Sequence, residues 1–335
     1  MSALLRRLAP LASTGVGSLP FARAADAARH ATRAYEVPFC PQLPHLYGDM
    51  IDEWLGADPG RCGWTSDRDR QLPGAWDQFV DELRRQPPSH GVVKLQVTGP
   101  VTLATALERA AGRSGATREA HDLAAEIAVW LAASAGEQAA ALDDLGLGVL
   151  LVVDEPGLAA AGLTRHRAQV WDPLRRAAHA WGLHICGQVP WELIDAAEVD
   201  VVSFDVSRYG LEADAAAFLA RLLARGGRVV WGVVDPVAPG DAETAAGRLA
   251  ASAAAMAPEL SASEVAASSL VSPACGTGRV SIDSECRVAE VLAAAVRATR
   301  AAIAAHGTPE IKAPHSPLCI DPREMEGVVH DRVHP

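Results

Sequence analysis

A histidine and two cysteines have the residue types and the spacing of a metal site. His184 and Cys186 lie two positions apart at the end of an apolar run, and Cys275 follows a later apolar run. On an extended strand, residues i and i+2 face the same side, so both side chains can reach one ion. A His-Cys-Cys set suits zinc and leaves a position for a substrate. From His-x-Cys alone, however, the favoured interpretation is a buried histidine with satisfied hydrogen bonds and two small core cysteines, because free cysteine is commonly buried and inert.

Carboxylates follow other apolar runs. Asp154 and Glu155 come directly after Leu-Val-Val, where a carboxylate pair can bind an amine or act in acid–base chemistry. A helix cap or a loop charge explains this pair equally well. Asp205 ends the apolar run Val-Val-Ser-Phe-Asp. It can be a fourth metal ligand, a hydrogen-bond partner of His184 or a helix cap. From these residues alone, the cap is the favoured interpretation of Asp205.

Three further residues are candidates near the first two apolar runs. Ser18, in Gly-Val-Gly-Ser-Leu-Pro, can offer a hydroxyl and backbone N–H groups to a carboxylate, or it can belong to a tight turn that needs glycine. Gln42 follows the second run and is a candidate substrate-binding residue. Cys40 can be a thiol near the site, although an inert core cysteine is the favoured interpretation.

Alternating strand-like and helical segments must position these side chains. The apolar runs do not alternate strictly with polar residues, which is typical of parallel strands buried on both faces. Apolar residues at three- and four-residue spacing indicate helices between the runs. The predicted strands are 14–19, 37–40, 92–97, 149–153, 183–186, 201–204, 228–234 and 270–272, and the clearest predicted helices are 117–145, 214–225, 242–256 and 284–306.

Eight strands separated by helices predict an α/β fold, a single (β/α)8 TIM barrel. A doubly wound open sheet is the alternative, and the lack of a G-x-G-x-x-G turn disfavours its dinucleotide-binding form. We expect one catalytic domain over residues 1–335, with the barrel over about 14–306 and an extended tail over 307–335. An irregular segment, 41–73, follows strand 2 and is expected to cover one end of the barrel. Barrel active sites lie at the carboxyl ends of the strands, where the candidate residues cluster.

The overall composition limits the possible partners. The chain has 335 residues, 49% of them hydrophobic, and a net charge of −11, which disfavours nucleic acid as a partner. Six cysteines are too few and too scattered for a disulfide framework. The first residues lack an apolar stretch of signal-peptide length, and no run approaches the ~18 apolar residues of a membrane span. We therefore expect a cytoplasmic protein with reduced thiols and no membrane partner.

Several short motifs, taken together and in order, resemble a known family. The motifs are Thr14-Gly-Val-Gly-Ser-Leu-Pro20, Gln96-Val-Thr-Gly-Pro100, Asp154-Glu-Pro156, His184-Ile-Cys186 and Ser272-Pro-Ala-Cys-Gly276. They are similar to the C-terminal catalytic barrel of cobalamin-independent methionine synthase, within the uroporphyrinogen decarboxylase/methionine synthase-like superfamily. The segment Pro38-Phe-Cys-Pro-Gln-Leu-Pro44 makes the chain most similar to the short, stand-alone core forms of that enzyme. The resemblance runs from about residue 14 to about residue 300.

The resemblance implies a (β/α)8 barrel, zinc as cofactor and a role for each matching residue. His184, Cys186 and Cys275 resemble the zinc ligands of the family. Asp154 resembles the aspartate that binds the amino group of homocysteine. Gly17 and Ser18 resemble the turn that holds the amino-acid backbone.

The chain departs from the full-length enzyme of that family in three places. Asp205 stands where the family has a further glutamate ligand of zinc, and Asp235 stands where it has a histidine proposed to assist proton transfer. The N-terminal half, with part of the folate surface, is not in this sequence. This departure disfavours a folate donor, and the resemblance to the core forms implies methylcobalamin or a methyl-corrinoid protein as the methyl donor.

The implied activity is transfer of a methyl group to the zinc-activated thiol of homocysteine, which forms methionine. Thiolate is the nucleophilic form of a thiol, and coordination to zinc keeps it deprotonated. Two rival functions share the barrel: zinc-dependent alkylation of another thiol of the coenzyme M type, and a metal-free lyase of the decarboxylase type. A non-catalytic binder of a thiol or corrinoid is a third.

Overall fold

A curled, all-parallel sheet organises the chain. The computed structural model describes residues 2–56, 64, 72–113, 118–211, 213–256 and 260–306. Seven strands pair in the order β1-β7-β6-β5-β4-β3-β2. This α/β architecture is consistent with the TIM-like barrel expected from the sequence. The strands are β1 (Ala12–Ser13), β2 (Val92–Thr98), β3 (Gly148–Asp154), β4 (Ala180–Ile185), β5 (Val201–Asp205), β6 (Arg228–Val234) and β7 (Ser269–Pro273).

Helices connect and flank the strands. The four clearest predicted helices are confirmed, with ends within two residues of the prediction. The start predicted for the first of them, residue 117, lies outside the described part of the chain. The longer helices are α1 (Ala24–Arg33), α2 (Trp76–Arg85), α3 (Pro100–Ala110), α4 (Arg118–Asp143), α5 (Ala213–Ala224), α6 (Ala242–Ala255) and α7 (Ile282–His306). Shorter α-helices are Pro44–Tyr47, Asp52–Leu55, Asp172–Arg175, Trp191–Ala196, Val206–Tyr209 and Ala262–Ala267, and 3-10 helices are Leu5–Arg7, Leu158–Ala161 and Arg165–Trp171.

The two faces of the sheet belong to different apolar clusters. Alternate strand residues such as Val93, Leu151 and Trp231 pack with the helices in the larger cluster. The residues between them, such as Val92 and Leu150, form a second cluster that contains no residue of helices α1–α7. Because successive strand side chains point to opposite faces, this second cluster marks the concave inner face of the sheet.

The first residues of the chain close the amino end of the inner face. Leu4, Leu5 and Leu8 are buried in the inner cluster. Arg228, at the start of β6, donates to the Leu5 carbonyl at 2.7 Å, and the Ser2 hydroxyl donates to the His179 carbonyl at 2.8 Å. Apolar side chains of the first residues thus fill the amino end of the inner face.

The first two predicted strands are wrong in detail. Residues 14–19 form no regular strand, and the first strand, Ala12–Ser13, ends just before them. The strand predicted at 37–40 makes isolated bridges rather than a regular ladder. Pro38 lacks the N–H that a ladder requires. At Gly15, a Cβ would collide with the ring of Phe39, so the chain bends past it closely. Eight regular strands are therefore not found in the part of the chain that the structure describes.

An extended segment nevertheless joins the two edge strands. We call residues 37–42 the seam. On one side, the Val37 N–H donates to the Ser13 carbonyl at 2.9 Å, and on the other the Lys94 N–H donates to the Pro38 carbonyl at 2.8 Å. Phe39 and Lys94 form a parallel bridge. Backbone hydrogen bonds therefore run from β1 through the seam to β2.

The irregular segment predicted after strand 2 contacts the carboxyl end of the sheet. The hydroxyl of Thr98, the last residue of β2, donates to the Met50 carbonyl at 2.7 Å. Residues 57–63 and 65–71 of this segment, and the predicted tail from 307, lie outside the described residues. None of the described helices is both long and apolar enough to span a membrane.

Candidate functional site

Polar side chains occupy the carboxyl end of the inner face. On each strand they alternate in the same way as the residues of the inner apolar cluster, but they lie nearer the carboxyl ends, where β2 to β7 finish side by side. The carboxyl ends of barrel strands are where active sites are built. These residues are Lys94, Gln96, Thr98, Asp154, His184, Ser203, Asp205 and Ser272.

The structure brings the three predicted metal ligands together. His184, buried near the end of β4, has Nδ1 2.8 Å from the Ser203 hydroxyl and Nε2 2.9 Å from Cys186 Sγ. Cys186 Sγ lies 3.3 Å from Cys275 Sγ, which comes two residues after β7. The two thiols are more open than the histidine, since Cys186 is half-buried and Cys275 is exposed. Ser203 fixes the ring so that Nε2 faces the sulfurs.

The two cysteines differ in acidity. The pKa of Cys275 is lowered to about 4, mainly because its thiolate accepts a hydrogen bond from Cys186, with further help from His184. The pKa of Cys186 is raised by that same hydrogen bond and by burial. The pair therefore holds one thiolate readily and gives up its second proton with difficulty. A metal cation would favour the doubly ionised form, because coordination deprotonates thiols.

The three donor atoms are of the types that zinc binds, but they lie closer together than the ligands of a zinc ion do. Two sulfurs and one imidazole nitrogen are ligands that zinc prefers. In tetrahedral geometry such atoms lie roughly 3.5–3.8 Å apart, so the cluster must open by about half an ångström. Among the described residues, no group of three or more His, Cys, Asp or Glu side chains is already arranged around an ion position. The zinc site therefore stays a prediction.

Asp154 ends β3 beside His184. The two residues are cross-strand partners, and Asp154 is buried. Burial raises the pKa of Asp154 to about 6, while the charges of His184 and Lys94 act in the opposite direction. Its Oδ1 atom is buried without a hydrogen-bond partner. A buried carboxylate oxygen without a donor is costly and suits an incoming ammonium group.

Glu155, the next residue, has a structural role. It accepts hydrogen bonds from Val101 N–H at 3.1 Å, Thr102 N–H at 2.8 Å, the Thr102 hydroxyl at 2.6 Å and Trp171 Nε1 at 2.9 Å. Two of these donors are backbone groups of the first turn of α3, where a negative charge is favourable. A Cβ at Gly99 would collide with this carboxylate, which explains glycine there. The helix-cap interpretation therefore holds for Glu155.

Sequence reasoning missed a buried lysine. Lys94 lies in the middle of β2, and its Nζ donates to the Val16 carbonyl and, at 3.0 Å, to Gln96 Oε1. Burial lowers the pKa of Lys94 to about 8, while Asp154 and Cys40 act in the opposite direction. The available signal was the pair of polar residues, two apart, in Val-Val-Lys-Leu-Gln-Val.

The turn at Gly17 and Ser18 is held from two sides. The Ser18 hydroxyl accepts from the Gly278 N–H at 3.2 Å, and the Ser18 carbonyl accepts from the Thr277 N–H at 3.0 Å. A Cβ at Gly17 would press on the side chains of Gln96 and Gln42. The Ser18 hydroxyl hydrogen remains available to a ligand, because its accepted bond uses an oxygen lone pair.

Gln42 and Cys40 lie on the seam. The Gln42 N–H donates to the Gly17 carbonyl at 3.0 Å, which fastens the seam to the turn. Burial raises the pKa of Glu53 to about 7, and hydrogen bonds from Gly74 and Gln42 act against this rise. Burial also raises the pKa of Cys40, with a further contribution from Glu53, so this thiol stays protonated and suits the core.

Asp205 and Asp235 cap local backbone. Asp205 Oδ1 accepts from the Ser207 N–H at 2.8 Å, the Ser207 hydroxyl at 2.6 Å and the Arg208 N–H at 3.1 Å. It is thus the N-cap of the short helix Val206–Tyr209. Asp235 follows β6 and accepts from the Val237 N–H at 2.8 Å. A metal-ligand role for Asp205 and a catalytic role for Asp235 stay predictions.

Comparison with known proteins detects the fold and no family. No protein-family model matches the chain, and no curated protein matches its sequence. A B12-independent methionine synthase from Shewanella sp. W3-18-1, in complex with selenomethionine, superposes with a TM-score of 0.61 at 17% identity. The match covers 89% of this chain and 100% of that chain.

A second solved structure is a methyltransferase from Methanosarcina mazei. It superposes with a TM-score of 0.53 at 14% identity, and the match covers 87% of this chain and 96% of that chain. At these identities the likeness establishes a shared fold. The chemistry must be argued from the residues of this chain.

Proposed function

We propose that this protein is a zinc-dependent methyltransferase that transfers a methyl group to the thiol of homocysteine and so forms methionine. The proposed donor is methylcobalamin or a methyl-corrinoid protein. The observation that carries the proposal is the contact of His184 Nε2 with Cys186 Sγ, and of Cys186 Sγ with Cys275 Sγ, at the carboxyl end of the sheet. The fold shared with a methionine synthase and a methyltransferase supports methyl transfer in general.

Zinc, held by His184, Cys186 and Cys275, would supply the positive charge that keeps a substrate thiol deprotonated near pH 7. Asp205 is the candidate fourth ligand, but three local donors already occupy its Oδ1. Ser203 holds the His184 ring by its Nδ1 atom, an interaction that typically orients a metal-bound histidine.

The side chains around the cluster would orient the amino acid. Asp154 Oδ1 has no partner and would accept from the substrate ammonium. Ser18 and the Gly17 turn would bind the carboxylate, with Gln42 alongside. Fixing both ends aims the sulfur at the methyl carbon. A methyl-corrinoid donor would supply the methyl carbon to this sulfur, and its cobalt would keep the electron pair of the broken cobalt–carbon bond. Asp235 is the candidate acceptor for the thiol proton.

Methionine synthesis by the purified protein tests this proposal. Zinc-loaded protein is incubated with homocysteine and methylcobalamin, and methionine is quantified with and without a chelator. Cys275→Ser should lower both zinc affinity and rate by about 100-fold, because it removes a thiolate ligand. Cys286→Ser is the matched control, since Cys286 is an exposed cysteine on α7, and it should change neither.

The outcomes separate the rival functions. Full zinc content and full activity in Cys275→Ser would sink the proposed site. Zinc binding without methionine, followed by alkylation of a thiol such as coenzyme M, would move the function to another acceptor. A metal-free protein with decarboxylase activity would favour the lyase.

A further inference from the structure

Lys94 is a buried positive charge that the proposed chemistry leaves without a task. Its side chain is 4% exposed, and it lies on the inner face among apolar neighbours such as Val92 and Leu150. Placing an ammonium group there costs free energy unless a partner compensates. At neutral pH it is protonated, because its pKa is about 8.

Lys94 and Asp154 are opposite charges held apart. Each shifts the pKa of the other, so they lie within electrostatic reach. No hydrogen bond or ion pair joins these two side chains in the described part of the chain. An ammonium group has three N–H donors, and Lys94 uses two of them on Val16 and Gln96. Asp154 Oδ1 has none of its acceptor capacity used. Each charge therefore has one open hydrogen-bond position.

A zwitterion matches this pair of open positions. We propose that an amino-acid thiol lies between Asp154 and Lys94, with its ammonium on Asp154 and its carboxylate on Lys94, so that Lys94 selects carboxylate-bearing thiols. The inference rests on the proposed function for the identity of the thiol, homocysteine. It adds a positive charge to a carboxylate site that otherwise consists of the neutral Ser18 turn.

The contacts of Lys94 also connect it to that turn. Val16, whose carbonyl accepts from Lys94, comes directly before Gly17, and Gln96 donates through Nε2 to the Cys40 carbonyl on the seam. A residue that only fastened these two segments would affect every ligand alike. A residue that binds the carboxylate affects only ligands that have one. This difference makes the two roles separable.

Three thiols of matched length distinguish a carboxylate-binding role of Lys94 from a purely structural one. Homocysteine has both charges, 4-mercaptobutyrate lacks the amine, and 3-mercaptopropylamine lacks the carboxylate. Binding of each to zinc-loaded protein is measured by calorimetry for the wild type, Lys94→Met, Lys94→Arg and Asp154→Asn. Zinc content and melting temperature are recorded for every variant, so that binding is compared among equally loaded, folded proteins.

We expect the Lys94 and Asp154 variants to weaken the binding of different thiols. Lys94→Met should weaken homocysteine and 4-mercaptobutyrate by about tenfold or more and leave 3-mercaptopropylamine within about twofold. Asp154→Asn should weaken homocysteine and 3-mercaptopropylamine instead. Lys94→Arg, which keeps the charge, should recover part of the carboxylate-dependent affinity. If Lys94→Met does not fold, Lys94→Gln, which removes the charge but stays polar, takes its place in the same comparison.

Other outcomes overturn the inference. Equal weakening of all three thiols in Lys94→Met would reduce Lys94 to a structural fastener, and unchanged homocysteine affinity would exclude it from recognition. Lys94-dependent binding of 4-mercaptobutyrate with no methionine formed would uphold the inference while the proposed function fails. A wild-type protein that binds none of the three thiols would overturn both.

Discussion

The inner face of the sheet has an apolar end and a polar end, built from the same strands. At the amino end, Val92, Leu150 and Val201 pack with Leu4, Leu5 and Leu8. Further along the sheet, towards its carboxyl end, lie Lys94, Asp154 and His184, all buried. The first arrangement stabilises the fold, and the second spends stability on buried charge. A region that departs from good packing is where function should be sought.

The adjacent residues Asp154 and Glu155 show the same contrast between a structural and a functional role in two neighbouring carboxylates. Both are buried, yet Glu155 accepts four hydrogen bonds whereas Asp154 Oδ1 accepts none. One carboxylate is part of the scaffold, and the other is available to a ligand. The predictions that follow test this division.

The largest effect on stability should come from Glu155. Glu155→Ala leaves the N–H groups of Val101 and Thr102 and the Trp171 indole without an acceptor, so unfolding free energy should fall by about 3–5 kcal/mol. Asp154→Asn should change it by less than about 1 kcal/mol, because Oδ1 has no donor to lose. Urea denaturation measures both. Comparable losses in the two variants would erase the distinction.

A core truncation at the amino end should act on stability alone. Leu5 is 1% exposed in the inner cluster, and Leu5→Ala should cost about 3 kcal/mol of unfolding free energy by leaving a cavity. Homocysteine affinity should stay within about twofold of the wild type at a temperature where both are folded. A large loss of affinity would mean that the two ends are coupled.

The buried charge of Lys94 should appear in the pH dependence of stability. Its folded pKa, about 8, lies below the ordinary lysine value of 10.5, so above pH 8 the unfolded chain binds a proton that the native protein has released. The destabilisation by Lys94 is complete below pH 8 and is lost as pH rises towards 10.5. Relative to Lys94→Met, the wild type should gain about 2 kcal/mol between pH 7 and pH 9.5. A pH-independent difference between the two proteins would contradict this.

The smallest effect should come from Ser203. Ser203→Ala removes the 2.8 Å contact with His184 Nδ1 and should lower zinc affinity by roughly tenfold, with about 1 kcal/mol lost from stability. Ser252→Ala, at a buried serine on α6, is the matched control and should leave zinc affinity unchanged. Zinc competition with a chromogenic chelator measures both. Equal effects would remove Ser203 from the site.

Much of the scaffold was predictable from local sequence patterns. Hydrophobic periodicity located α4, α6 and α7, and short apolar runs located β2 to β7. The i, i+2 rule correctly predicted that His184 and Cys186 face the same side. It could not give the 3.3 Å separation of Cys186 and Cys275, which depends on how β4 and β7 curve around the sheet.

The errors have physical causes. The first two strands were overestimated because Pro38 removes a donor and Gly15 lets the chain bend around Phe39, effects that depend on neighbours distant in sequence. The division of labour between Asp154 and Glu155 depends on where α3 begins relative to β3. Lys94 was overlooked because its signal, a lysine two positions before Gln96 in an apolar run, does not by itself say whether the side chain stays inside.

The seam should tolerate substitutions better than the regularly paired strands of the sheet. Residues 37–42 lie between β1 and β2 and are joined to them by a few separate hydrogen bonds. The same stretch places Cys40 and Gln42 beside the site. A substitution there can reshape the pocket without breaking a continuous row of backbone pairs. Directed evolution towards new thiols should therefore accumulate changes in the seam and spare the strands opposite it.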